Sequence, residues 1–296
     1  MTQFCPEGGL IATEENREIL SSPSGLLQAL REGTILEARA RLCDREMTLH
    51  FDLGGVEGIM PKGEVQVTEN DGPVRDVAVI TRVGKPCAFT VTDLHDGVAC
   101  LSRREAQEAC LEAYLDKLED GDVLPARVTH FEPFGAFCDV GCGIPSLLSI
   151  DCMSVSRIAH PSDRFRLGQE ILAAVRGRDQ VRLGSRGRIA LTHKELLGTW
   201  RENAARFAPG QTVLGVVRSV EDYGVFVELA PNLAGLAESR PGVQPGDACS
   251  VYIKSILPEK RKVKLVLIDT FRDGAAPAPG PYFIREGNVS GWSYEA

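Results

Sequence analysis

Phe134-Gly-Ala-Phe-Cys-Asp-Val-Gly141 and Tyr223-Gly-Val-Phe-Val-Glu-Leu-Ala230 begin 89 residues apart and share one pattern: aromatic, glycine, small or β-branched, aromatic, apolar, acidic, apolar. Side chains alternate across a strand. Phe137 therefore shares a face with Asp139, and Phe226 with Glu228. Ala136, Cys138 and Val140 in one copy, and Val225, Val227 and Leu229 in the other, face the interior. The aromatic beside a carboxylate marks an outward, solvated face. A divergent third copy, Met47-Thr-Leu-His-Phe-Asp-Leu-Gly54, begins 87 residues before the first.

The same spacing holds on both sides of this block. Glycines open apolar strand patterns at Gly33-Thr-Ile-Leu-Glu-Ala-Arg39, Gly121-Asp-Val-Leu-Pro-Ala-Arg127 and Gly210-Gln-Thr-Val-Leu-Gly-Val216. A third strand is expected at 56–60, 144–148 and 233–237, a fourth after Gly84, Gly168 and Gly246, and a fifth at 98–101, 188–191 and 263–267. Three repeats of five short strands with glycine turns predict small antiparallel barrels in tandem. Helices near 103–118 and 193–205 should join them. Ser102-Arg-Arg-Glu105 and Thr192-His-Lys-Glu195 both read as capping boxes just after a fifth strand. Ser22-Pro23 reads as N-cap and first helical residue of a segment whose apolar stripe, Leu26, Leu27 and Leu30, ends at Gly33. The expected organisation is a helical segment over 1–32, barrels over 33–102, 121–192 and 210–269, linkers over 103–120 and 193–209, and a Pro/Gly-rich tail over 270–296. The tail's Tyr282, Phe283, Trp292 and Tyr294 offer rings that could fold back onto a barrel.

Composition narrows the function classes. The 296 residues carry 33 basic and 41 acidic side chains, a net charge of −8, which opposes tight, sequence-blind binding to duplex DNA. Residues 1–120 hold 12 basic and 22 acidic groups, whereas 121–200 hold 10 and 8, and 201–296 hold 11 and 11. A polyanion should therefore bind the last two thirds. There is no run of about 18 apolar residues and no basic, apolar leader, so neither a membrane span nor secretion is expected. The nine cysteines form no C-x-x-C pair, which predicts a reducing, cytoplasmic setting with no structural metal or disulfide framework. Phosphate loops, zinc-protease motifs and nucleophile elbows are absent, and the five histidines are dispersed. The chain reads as non-catalytic, without a cofactor.

Two aromatics on the solvated face of a barrel make a stacking platform for unpaired bases; the competing reading is that the rings cover a helix or a neighbouring barrel. Phe134-Gly-Ala-Phe137 and Tyr223-Gly-Val-Phe226, with their glycine-opened first strands, resemble the S1 motif, an OB-fold module named after small-subunit ribosomal protein S1. The resemblance covers roughly residues 33–268, and the linkers beginning Leu-Ser-Arg-Arg-Glu and Leu-Thr-His-Lys-Glu are similar to those between its bacterial modules. It implies contacts to single-stranded RNA through Phe134, Phe137, Asp179 and Arg188 in barrel two and Tyr223, Phe226 and Lys262 in barrel three. In the last repeat Leu257 stands in place of the acid. The family's histidine is replaced by Pro61, Ser149 and Glu238.

Further basic residues beside the middle platform are Arg127, Arg157, Arg164, Arg166, Arg176, Arg178, Arg182 and Arg186; in the third repeat Lys264 joins Lys262 on one strand face. Barrel one, acidic and with Met47 and His50 in place of the aromatics, is a poor RNA site and suits protein contact, such as attachment to the 30S subunit. The expected function is messenger RNA binding in translation. The alternatives are a protein-interaction scaffold and an accessory RNA-binding subunit of a degradation complex.

Overall fold

The computed structural model describes residues 4–68, 72–178, 189–271 and 281–295. Three closed five-stranded barrels follow one another along the chain. Barrel one comprises β1 Leu36–Cys43, β2 Leu49–Asp52, β3 Glu57–Met60, β4 Pro86–His95 and β5 Val98–Ser102. Barrel two comprises β6 Val123–Glu132, β7 Gly135–Asp139, β8 Pro145–Ser149, β9 Glu170–Arg178 and β10 Ile189–Thr192. Barrel three comprises β11 Thr212–Glu221, β12 Gly224–Ala230, β13 Leu233–Ala237, β14 Ala248–Leu257 and β15 Lys262–Phe271.

Each barrel is antiparallel except where it closes, by a parallel pairing of its third and fifth strands. All three share bulges at two matching places, one between first and second strands and one between fourth and fifth, and barrel three has two more. Bulges sharpen the twist that lets so short a sheet close on itself. Inward residues fill each interior: Phe51, Phe89 and Leu101 in barrel one, Val128, Cys138 and Leu148 in barrel two, Val217, Val227 and Ile253 in barrel three.

Helix α1, Glu14–Leu20, precedes barrel one, an element the apolar pattern did not signal. Helix α2, Pro23–Glu32, begins at the expected cap, where Ser22 accepts the Gly25 amide, and ends at Gly33 with φ 63°. A short helix α3, Asp76–Ile80, lies between β3 and β4. Helix α4, Arg103–Ala113, starts where expected, with Ser102 accepting the Glu105 amide. The Glu105 carboxylate bonds the Thr90 hydroxyl instead of closing the box.

The second linker differs from expectation. The hydroxyl of Thr192 bonds the Glu195 carboxylate and caps no helix; residues Lys194–Leu197 make a single 3-10 turn. The capping box lies one turn later, at Thr199 and Glu202, ahead of the short helix α5, Trp200–Ala204.

Both chain ends close over barrels. The tail's Val289 is buried with Ala174 and Leu196, and Tyr282, Ile284 and Trp292 pack around them together with Val123 and Leu172. The N-terminal segment crosses from barrel one to barrel two. Its amides at Gly8, Leu10 and Ile11 donate to the buried Glu37 carboxylate at 2.9–3.1 Å.

Candidate nucleic-acid interface

The turn between first and second strands delivers two rings to the outer surface of barrels two and three. Phe134 is 53% exposed and Tyr223 70% exposed, whereas Phe137 and Phe226, three residues further along the chain, are half-buried. The rings meet edge to face in both barrels: Phe134 and Phe137 at 6.4 Å and 86°, Tyr223 and Phe226 at 6.2 Å and 89°. In each pair the outer ring leaves a face open, and its edge contact holds the inner ring in place.

Strand register extends these platforms into rows across each barrel. In barrel three the outward row is Ser219, Phe226, Leu236, Lys264 and Ser255. In barrel two it is His130, Phe137, Leu147, Ala190 and Gly177. Phe226, Leu236 and Lys264 of the barrel-three row line an open groove of about 530 Å³ together with Tyr223, Glu238, Lys254, Arg261 and Lys262. Lys254 was not singled out in the sequence, whereas Arg261 belongs to the basic run Lys260-Arg-Lys262-Val-Lys264. Lys254 lies in the fourth-strand bulge, where Arg176 stands in barrel two. Arg261 precedes the expected pair in a left-handed turn conformation, φ 48°, and pairs with Glu295 of the tail.

Barrel two presents a different surface. The ring of His130 lies 6.5 Å from that of Phe137 and 23° from parallel, and its Nε2 is 3.0 Å from the Glu132 carboxylate. Arg176 is exposed at 4.0 Å from Asp151. Arg178 donates to the carbonyls of Leu115 and Leu118. Asp179, Arg182, Arg186 and Arg188 lie outside the described residues.

Two expectations for this face need correction. The carboxylates beside the platform aromatics are on the outer face, but they are not solvated: Asp139 and Glu228 are 3% and 2% exposed. Each is buried at a junction. Asp139 accepts the Glu7 amide at 2.7 Å and those of Gly141 and Gly143 at 2.9 and 3.0 Å. Burial, helped by the neighbouring Glu7 carboxylate, pushes its pKa up to about 7. Gly143 has no substitute here, since a Cβ at its φ of 76° would stand 1.7 Å from Arg103 Nη2. That guanidinium is buried against Glu7, Nε to Oε1 at 2.5 Å.

Glu228 takes both terminal nitrogens of Arg164 at 2.7 and 3.0 Å and Arg218 Nε at 2.7 Å. Burial works to raise its pKa, and the two guanidiniums overcome this, leaving the carboxyl below its ordinary range. Arg164, from the loop before β9, therefore fastens barrel two to barrel three and is not part of an RNA surface. Arg127 is likewise engaged: it lies opposite Asp139, pairs with Glu170 and packs against Gly8.

In barrel one, His50 occupies the place of Phe137 and Phe226 in the register, opposite Leu42 and Ile59. Its ring is tied at both nitrogens, to Asp44 at 3.0 Å and Glu57 at 2.9 Å. These hydrogen bonds raise its pKa. Met47 sits in the preceding turn at φ 62°. No stacking platform exists there.

Comparisons with known proteins agree with this architecture. The model of the S1 RNA binding domain family matches residues 117–194. Small ribosomal subunit protein bS1 of Rhizobium meliloti is 29% identical over 240 residues, 75% of this chain and 40% of that protein. The bS1 of Pseudomonas aeruginosa is 32% identical over 233 residues, 72% and 40%. The chain thus spans about two fifths of the length of these relatives. A crystallised multidomain protein with nucleic acid binding domains from Streptococcus pneumoniae matches 82% of this chain and 75% of its own at 15% identity. Its TM-score is 0.26, and the fold assignment rests on the strand pairing above. The middle barrel thus carries a matched S1 domain, and the same strand order is repeated in the barrels on either side of it.

Proposed function

We propose that the chain binds single-stranded RNA through barrels two and three, by stacking bases on Phe134 and Phe137 and on Tyr223 and Phe226. The observation that carries this reading is the recurrence of one edge-to-face ring pair, outward and open, at the same register position of two barrels. Phe134 and Tyr223 are 53% and 70% exposed, each set beside a second ring, so that both barrels present a paired aromatic surface. Each stacked base contributes about 1–3 kcal/mol. Lys262 and Lys264 supply phosphate contacts in barrel three; on the family resemblance Arg188 is assigned the corresponding part in barrel two, and Asp179 a contact to the RNA as hydrogen-bond acceptor.

The similarity to bS1 relatives supports a role in translation, on messenger RNA. Barrel one, without a platform and with His50 held by two carboxylates, is assigned to protein contact, with the 30S subunit as the partner to test. A photoreactive residue placed at Phe134 or Tyr223 in cells tests the RNA assignment, and one placed at His50 tests the assignment of barrel one. Recovery of messenger RNA at the two rings and of 30S protein at His50 is expected. Recovery of protein alone at the rings would replace this reading with that of an interaction scaffold.

A further inference from the structure

The groove of barrel three borders a second exposed surface. Lys264 is paired with Ser255, and two residues along the same ribbon Tyr252 is paired with Val266. Lys254, in the bulge between, lines the groove. Tyr252, Val266 and the adjacent Leu214 are 38%, 40% and 47% exposed.

The corresponding face is covered in both other barrels. Counting from the glycine that opens each first strand, the pairs Thr212–Tyr252 and Leu214–Ser250 match Val123–Ala174 and Pro125–Leu172 in barrel two. There the C-terminal segment lies over them, with Val289 against Ala174 and Tyr282 donated to by the Leu172 amide. In barrel one the pair that matches Leu214–Ser250 is Glu37–Ala88. It is sealed by the N-terminal segment, whose amides bind Glu37 and whose Glu7 accepts the Ala88 amide at 3.1 Å. Among the described residues nothing covers the face in barrel three, and there the position held by Ala174 in barrel two is an aromatic ring.

We propose that the RNA bound at Phe226 continues across the β14–β15 ribbon and stacks a further base on Tyr252, with Lys264 and Lys254 holding the phosphates between. This rests on the function proposed above and extends its site. Charge decides between RNA and an apolar peptide as occupant: the groove that the face meets carries Lys254, Lys262 and Lys264, none with an ion-pair partner among the described residues, against the single carboxylate of Glu238. Distance is compatible as well. From β12 to β14 there are three strand spacings, roughly 14 Å at 4.7–4.9 Å each. That is within the stretch of strand an OB fold holds, about 4–16 nucleotides. The track in barrel two ends at Phe137, because its continuation is Ala174 under the tail.

The test uses the full chain carrying Phe137→Ala, so that barrel three is read alone, and oligouridines of about 4 and about 12 nucleotides, the short one filling the groove only. Tyr252→Thr, which keeps strand propensity, is expected to weaken the longer RNA about five-fold or more while leaving the shorter one unchanged. Tyr252→Phe should bind both like the parent. In the unsubstituted chain, 4-thiouridine RNA should crosslink at Tyr252; this measurement decides the matter if the threonine variant melts early. Equal affinity of parent and Tyr252→Thr for the longer RNA, or no crosslink at Tyr252, overturns the proposal and leaves the face to a protein partner. A failure of the underlying reading looks different: Phe226→Ala would then leave both affinities unchanged.

Discussion

Acidification should loosen the clasp between barrel two and the C-terminal segment, and His193 sets the magnitude. The ring is buried edge-on to Phe165 at 4.9 Å and to Tyr282 at 5.4 Å. Its Nδ1 is 2.8 Å from the Met153 carbonyl and its Nε2 is 3.1 Å from the Tyr282 hydroxyl, which itself accepts the Leu172 amide. This relay suits the neutral ring: Nδ1–H donates to Met153 and Nε2 accepts from Tyr282.

Burial, the largest influence, lowers the pKa from 6.5 to about 4; the Met153 carbonyl opposes this and the Arg164 charge adds to it. Between pH 6.5 and 4 the unfolded chain binds a proton that the folded one does not, so stability rises with pH there. The stabilisation is complete above 6.5 and lost as pH falls to 4. Two and a half pKa units correspond to roughly 3 kcal/mol. Urea unfolding at pH 7 and pH 4.5, followed by the fluorescence of Trp292 in the tail cluster, measures it. The parent should lose about 2–3 kcal/mol more than His193→Asn over that range. Subtracting the variant removes the contributions of Asp139 and Glu228. Equal losses in parent and variant would refute the neutral buried ring.

Glu7→Ala leaves the Arg103 guanidinium buried without its partner and should cost about 3–5 kcal/mol in urea unfolding; a cost under about 1 kcal/mol would mean that the N-terminal segment does not fasten the first two barrels. In RNA titrations at increasing salt, the three unpaired groove lysines together with Arg188 limit the slope of log K against log salt to about −3, at roughly 0.7 per phosphate on a single strand. A slope several units steeper would show that cations, not rings, dominate. His50→Ala should leave RNA affinity unchanged, and any clear loss would reinstate barrel one as a binding site.

The strands were legible in the sequence because alternation and glycine turns are local signals. The second-strand block placed Phe137 and Phe226 on the outer face, and the structure has them there. Alternation states a face but not what lies on it. For that reason Asp139 and Glu228 looked solvated, when their partners stand far off in sequence at Glu7 and Arg164. The same limit hid the partners of Arg164 and Arg127, carboxylates that stand across a junction or a strand pair. His130 carried a signal that went unused: it lies on the first strand directly across from the platform phenylalanine. The second linker failed for a local reason. Thr192-His-Lys-Glu195 and Thr199-Trp-Arg-Glu202 have the same signature, and only the second is followed by residues that bury a helical face, Trp200 and Ala204 against the barrel-three core.

The central claim is that open rings on two barrels hold RNA bases. Titrating the full chain with unstructured single-stranded RNA, with thermal unfolding in parallel, tests it through Phe137→Ala, Phe226→Ala and the double variant. Each single change should weaken binding by about 1–3 kcal/mol, with melting close to the parent, since neither inner ring is fully buried. The double variant should bind more weakly than either, because a strand spanning both barrels loses avidity when one site is gone. Phenylalanine variants that bind RNA like the parent, or that unfold early, would contradict the account and return the rings to packing.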